Sequence, residues 1–186
     1  TVPGTGINEC WYRSGERDAF TVAVVGDSHA GHWLPAILTL GSQNGWDVIR
    51  YSKTGCRLAL GAYEQDTAYG IECEEWKNEV VPYLADATWI DMVTTSASTN
   101  SARRDYDQLV GERQEGFLRA WQPLWESGKK VVVMSDGPAY RSRVPNCVER
   151  EIYEPSPCSV SRDSVSGFDP IVGAADSLRD GRCCNF

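Results

Sequence analysis

The sequence predicts an α/β domain in three layers, a mainly parallel sheet with helices on both faces. Short apolar, β-rich runs recur at Phe20 to Val25, Trp46 to Tyr51, Thr88 to Thr95 and Lys129 to Ser135. The segments between them are long enough, and apolar at the right spacing, to be helical crossovers, which join strands in parallel and right-handedly. With 186 residues, 41% of them hydrophobic, and seven tryptophans, the chain can bury one substantial core, so one domain is expected.

Taken in order, residues 1–9 look like a flexible lead-in and residues 10–186 like the domain. Phe20 to Val25 is continuously apolar, as a strand buried on both faces should be. Trp33, Leu34, Ile37, Leu38 and Leu40 then form a helical face that ends in the breaker region Gly41 to Gly45. After the second strand, a loop from Ser52 to Tyr69 opens with Ser52-Lys53-Thr54-Gly55-Cys56, where a glycine just beyond a strand permits close backbone approach. Ile71 to Ala85 has helical spacing at Trp76, Val80, Val81 and Leu84; Glu72, Glu74 and Glu75 suit a first turn, and Pro82 suggests a kink or early end. The third strand leads into a polar loop, Ser96 to Arg104, that contains Asn100. Tyr106 to Ser127 is the longest helix, burying Leu109, Phe117, Leu118, Trp121 and Leu124. Beyond the fourth strand, Asp136 to Ser161 is irregular and proline-rich, and Asp163 to Leu178 is weakly helical.

Charge and cysteine content exclude some functions. A net charge of −8 argues against a nucleic-acid partner, since that affinity rests on Lys and Arg neutralising phosphates. No apolar run is long enough to span a bilayer, so any membrane part is expected outside this stretch. The seven cysteines show no CxxC pair and there are only two histidines, which speaks against a zinc or other metal site; no cofactor is expected. Disulfides fit better, and with them an oxidising, extracytoplasmic compartment. Cys56 and Cys73 flank one loop and Cys147 and Cys158 another, so those pairs are expected, with Cys10 pairing with Cys183 or Cys184.

The chemistry concentrates at Gly26-Asp27-Ser28-His29. A serine delivered to the carboxyl end of a parallel strand stands where open α/β sheets bind ligands, at the positive end of the helix that follows. Ser28 is therefore the candidate nucleophile, although Asp27 or Ser28 would also serve as the helix cap. A phosphate loop for a flavin nucleotide is the weaker alternative, because GDSHAGH lacks a hydroxyl-rich run.

Gly26 to Ile37 (GDSHAGHWLPAI), Tyr51 to Cys56 (YSKTGC) with Cys73 downstream, and Pro145-Asn146-Cys147 together resemble the SGNH domains fused to membrane acyltransferase-3 proteins. The resemblance runs from about Cys10 to Arg162. It implies a flavodoxin-like SGNH-hydrolase fold and an extracytoplasmic domain, at the periplasmic or cell-envelope face, tethered to the membrane in the full-length protein. It also implies transfer of acetyl or another short acyl group, delivered by the membrane acyltransferase domain, to a carbohydrate or glycolipid acceptor. By the same resemblance Ser28 is the nucleophile, and the Ser28 and Gly55 N–H groups with the Asn100 amide form an oxyanion hole.

One part of that pattern is missing. The family base is a histidine in a late Asp-x-x-His element, and no histidine follows His32. Asp163, Asp169, Asp176 and Asp180 therefore have no such partner. Either the chain stops before the last strand and helix of the fold or it is a variant without the base; the Arg182-Cys183-Cys184-Asn185-Phe186 ending favours the first. His32, one helical turn beyond Ser28, and His29, its neighbour, are the substitute bases, although His29 is expected to pack or bond beneath the loop. Without a base, ester turnover is expected to be very slow. A noncatalytic acceptor-binding module and a carbohydrate esterase are the alternatives.

Overall fold

The structure is a computed structural model that describes residues 2, 5–61, 67–98, 106–138, 140, 144–154, 156–165 and 168–179, with the backbone alone at 106–110, 156, 164 and 179. Its five strands are β1 (Cys10–Tyr12), β2 (Thr21–Gly26), β3 (Asp47–Ser52), β4 (Met92–Ser96) and β5 (Lys130–Val133). They form one sheet in the order β1-β3-β2-β4-β5, parallel throughout except for β1, which pairs antiparallel with the outer edge of β3. The helices are α1 (Ser28–Asn44), α2 (Ala68–Asp86), α3 (Tyr106–Glu126), α4 (Val144–Arg150), α5 (Arg162–Val165) and α6 (Pro170–Arg179), with a 3-10 turn at Ser156–Cys158.

Alternation along the strands divides the core into two layers. On one face Val22, Val24 and Val48 meet Leu34 and Ile37 of α1. On the other, Ala23, Val25, Ile49, Tyr51 and Val93 meet Trp76 and Val80 of α2, Phe117 and Trp121 of α3, and Ile171 and Ala174 of α6. All six residues of β2 are buried, which accounts for its unbroken apolar run.

Several expected boundaries move for local reasons. The first helix begins at Ser28, and of the two expected caps it is Asp27 that holds it. It ends at Gly45, whose φ of 68° makes a left-handed cap with its N–H on the Gly41 carbonyl. The second helix starts at Ala68, capped by Thr67, which puts Glu72, Glu74 and Glu75 past the first turn; it also runs through Pro82 to Asp86. Trp89 and Ile90 look like strand residues but belong to a turn in which the Ile90 N–H bonds the Ala87 carbonyl, so β4 starts at Met92. The region after β5 is less irregular than its prolines suggest, since it contains α4 and the 3-10 turn.

The expected flexible lead-in is tied down where it is described. Ile7 is fully buried, Gly6 donates to Glu79, and Glu9 accepts hydrogen bonds from the hydroxyls of Tyr51 (2.9 Å) and Tyr83 (2.7 Å). Burial, and then the phenol and carboxylate contacts, push the Tyr51 hydroxyl far above its ordinary pKa. Cys56 is bonded to Cys73 and Cys147 to Cys158. Cys10 is exposed at its strand edge, and Cys183 and Cys184 lie outside the described residues.

Candidate active site

Register builds the site. Gly26, the last residue of β2, pairs with Ser52 at the end of β3 and with Ser96 at the end of β4, so the three strands stop level. The segments that follow, Asp27-Ser28, Lys53 to Cys56 and Ala97-Ser98, emerge along one carboxyl edge. β5 joins it, since the Met134 N–H bonds the Thr95 carbonyl and Ser135 and Asp136 come next.

Gly26 is required where it stands. Its φ is 140°, and a Cβ there would lie 2.7 Å from the Ser96 carbonyl oxygen. This close approach lets β2 turn sharply into α1 and lifts Ser28, the first helical residue, into an exposed position. Asp27 takes the capping role. One carboxylate oxygen accepts the His29 N–H at 2.8 Å and the other accepts the Ser98 N–H at 2.9 Å, with the residue only 1% exposed. Capping thus falls on Asp27 and not on Ser28, and no described residue holds the Ser28 hydroxyl.

The second segment is a turn closed by the Cys56 N–H on the Lys53 carbonyl at 3.0 Å, with Gly55 at φ 70° in its third position. A type II turn demands that positive φ, which glycine adopts without strain. The Lys53 N–H donates to the Gly26 carbonyl, and the Cys56–Cys73 bond ties the far end of the turn to α2. The third segment is gripped from both sides: Asp27 holds the Ser98 N–H, and Nε of the buried Arg57 donates to the Ser98 carbonyl at 2.5 Å. Asn100 lies outside the described residues.

Both histidines stand on the first turns of α1, with ring centroids 4.8 Å apart. His32 is exposed. His29 reaches across the sheet edge, placing Nδ1 2.5 Å from Oδ1 of Asp136. Asp136 is fixed in turn: Oδ1 accepts the Gly137 N–H at 2.8 Å, and its own N–H donates to Oδ2 of Asp169 at 2.9 Å. The other Asp169 oxygen accepts the Ile171 N–H at the start of α6. Burial raises the Asp169 pKa, against the pull of these backbone bonds. Sequence reasoning missed Asp136, Arg57 and Ser98. The signal for Asp136 was its place, three residues beyond β5 at the same edge as Ser28. Those for Arg57 and Ser98 were only their positions in the loops after β3 and β4.

A known family covers this arrangement almost end to end: the SGNH domain described as fused to AT3 domains matches residues 2–180. The chain belongs to this SGNH family. No curated protein matches it significantly. Among solved structures, the periplasmic domain of a Salmonella ser. Paratyphi A lipopolysaccharide acetyltransferase superposes with a TM-score of 0.61 at 6% identity, over 88% of this chain and 62% of that one. At that identity the likeness establishes the fold, and this SGNH domain spans less than two thirds of its neighbour's length. Among the described residues no helix is long and apolar enough to cross a membrane.

Proposed function

We propose that this SGNH domain is the extracytoplasmic acyl-transfer module of a bacterial O-acyltransferase. It takes acetyl or another short acyl group from a membrane AT3 domain and passes it through Ser28 to a cell-surface carbohydrate or glycolipid. The observation that carries the reading is Ser28 itself: exposed, uncommitted to capping, at the N-terminus of a 17-residue helix and level with the Gly55 turn. The family's coupling to AT3 domains supports the donor, and the two disulfides support an oxidising compartment.

In this reading Ser28 Oγ attacks the donor carbonyl. The negative charge that develops on the carbonyl oxygen is met by N–H groups at the α1 terminus and Gly55, with the Asn100 amide as a third donor; each such donor is worth about 3 kcal/mol. Collapse expels the donor's leaving group and leaves acyl-Ser28, which an acceptor hydroxyl then attacks to restore the serine. Incubation with an activated acetyl ester and a soluble oligosaccharide tests this. Acetylated sugar should appear with the wild-type chain and not with Ser28→Ala. Oligosaccharide binding without any Ser28-dependent acetyl transfer would support an acceptor-binding module instead, and release of acetate alone would support an esterase.

A further inference from the structure

We propose that the amino edge of the sheet, opposite Ser28, carries a further binding site that takes one neutral sugar ring of a glycan. Strands β4 and β5 run parallel to β2, so the edge where they begin is the one remote from Ser28. A cavity of about 470 Å³ opens there, where α2 and α3 end and β4 and β5 begin, lined among others by Asp86, Thr88, Ile90, Asp91, Ser127 and Lys129. That volume is in the range of small-molecule sites. The proposal stands on this edge alone and does not require Ser28 to carry an acyl group.

The lining suits a ligand rich in hydroxyls. Lys129 is only 7% exposed, and its Nζ donates to the Ala85 carbonyl at 2.8 Å and to the Ser127 hydroxyl at 3.4 Å. An ammonium has three N–H groups, so one is left for a ligand. Asp91 is fixed by the Thr21 N–H on Oδ2 at 2.7 Å, which leaves Oδ1 to accept. Asp86 and Thr88 are exposed, and among the described residues neither side chain is held by a hydrogen bond. A donor, two carboxylates and a free hydroxyl therefore line one cavity. Anions are disfavoured there, because two carboxylates outweigh one ammonium and the carboxyl ends of two long helices add partial negative charge. Trp89 stands in sequence between the lining residues Thr88 and Ile90, is 40% exposed, and is braced by Trp11, whose ring centroid is 5.0 Å away and which Arg13 covers in turn. The C–H face of a sugar ring packs on such an aromatic plate while its hydroxyls reach polar neighbours, and a plate already braced loses little freedom on binding.

Nitrogen-15 spectra of the 186-residue chain, titrated with the methyl glycosides of glucose, galactose, mannose, rhamnose and N-acetylglucosamine, test this. At least one glycoside should shift the Trp89 indole signal, assigned through Trp89→Phe, together with the Thr88 and Gly128 amides, and saturate in the millimolar range. Trp89→Ala should weaken that binding at least about 10-fold. Since it also removes a packing partner of Trp11, Asp86→Ala, which breaks no hydrogen bond among the described residues, is the second check and should weaken binding about 5-fold. Shifts confined to the Ser28 and Gly55 amides would overturn this site while leaving the acyl-transfer reading intact. Binding that neither variant weakens, no response to any glycoside, or a response at these signals to inorganic phosphate or calcium alone would overturn it as well.

Discussion

On the Ser28 side of the sheet edge, β2, β3 and β4 end level, Gly26 packs against the Ser96 carbonyl, and Asp27, Arg57 and the Cys56–Cys73 bond hold the connecting loops. On the β5 side, β5 is only partly buried, α4 buries no residue, and the His29–Asp136 pair reaches from α1 to the loop after β5. The difference shows how the labour is divided. On the Ser28 side the connecting loops are built onto the sheet, where backbone geometry fixes their N–H groups in place. The tie on the other side hangs on side chains from a loop, so it can be lost by one substitution without unfolding the domain.

Breaking the Ser28 side should therefore be costly to the fold. Gly26→Ala combines a φ that L side chains rarely adopt with a backbone clash, and should lower stability by roughly 4 kcal/mol in urea titration. Replacing Cys56 and Cys73 by serine should cost about 3 kcal/mol, whereas the same change at Cys147 and Cys158 should leave the global midpoint within about 0.5 kcal/mol, since α4 buries no residue in the core. Equal losses from the two bridges would remove the contrast.

Asp27→Ala should cost about 2 kcal/mol through the lost cap and the stranded Ser98 N–H. Farther from the site, burial pushes the Asp47 carboxyl upward, but the Ser14 N–H and Arg13 outweigh it and hold its pKa below the usual value. A carboxyl lowered in the folded state contributes stability above its unfolded pKa and loses it as pH falls through the folded one. Asp47→Asn should therefore cost about 1 kcal/mol at pH 7 and progressively less as the pH falls below the ordinary aspartate range, measured by thermal melts across pH.

Legibility in the sequence followed the same division. Phe20 to Val25 and the valine run before Met134 disclose the sheet because burial on both faces leaves no polar interruption, and Gly55 is readable because its turn requires a positive φ. β1 was invisible: three residues, Cys10 to Tyr12, pair only because β3 presents a free edge to them. Trp89 and Ile90 misled because their strand preference is spent on packing in a turn. The His29–Asp136 pair spans 107 positions and obeys no periodicity, so only the folded edge brings it together.

The central claim is that Ser28 is the residue that carries the acyl group. Peptide mass mapping after treatment with a serine-directed phosphonate ester, a mimic of the tetrahedral intermediate, tests it most directly. A single adduct on the peptide containing Ser28, abolished in Ser28→Ala, is the predicted result; an unlabelled Ser28, or labelling at other serines that persists in Ser28→Ala, would contradict it.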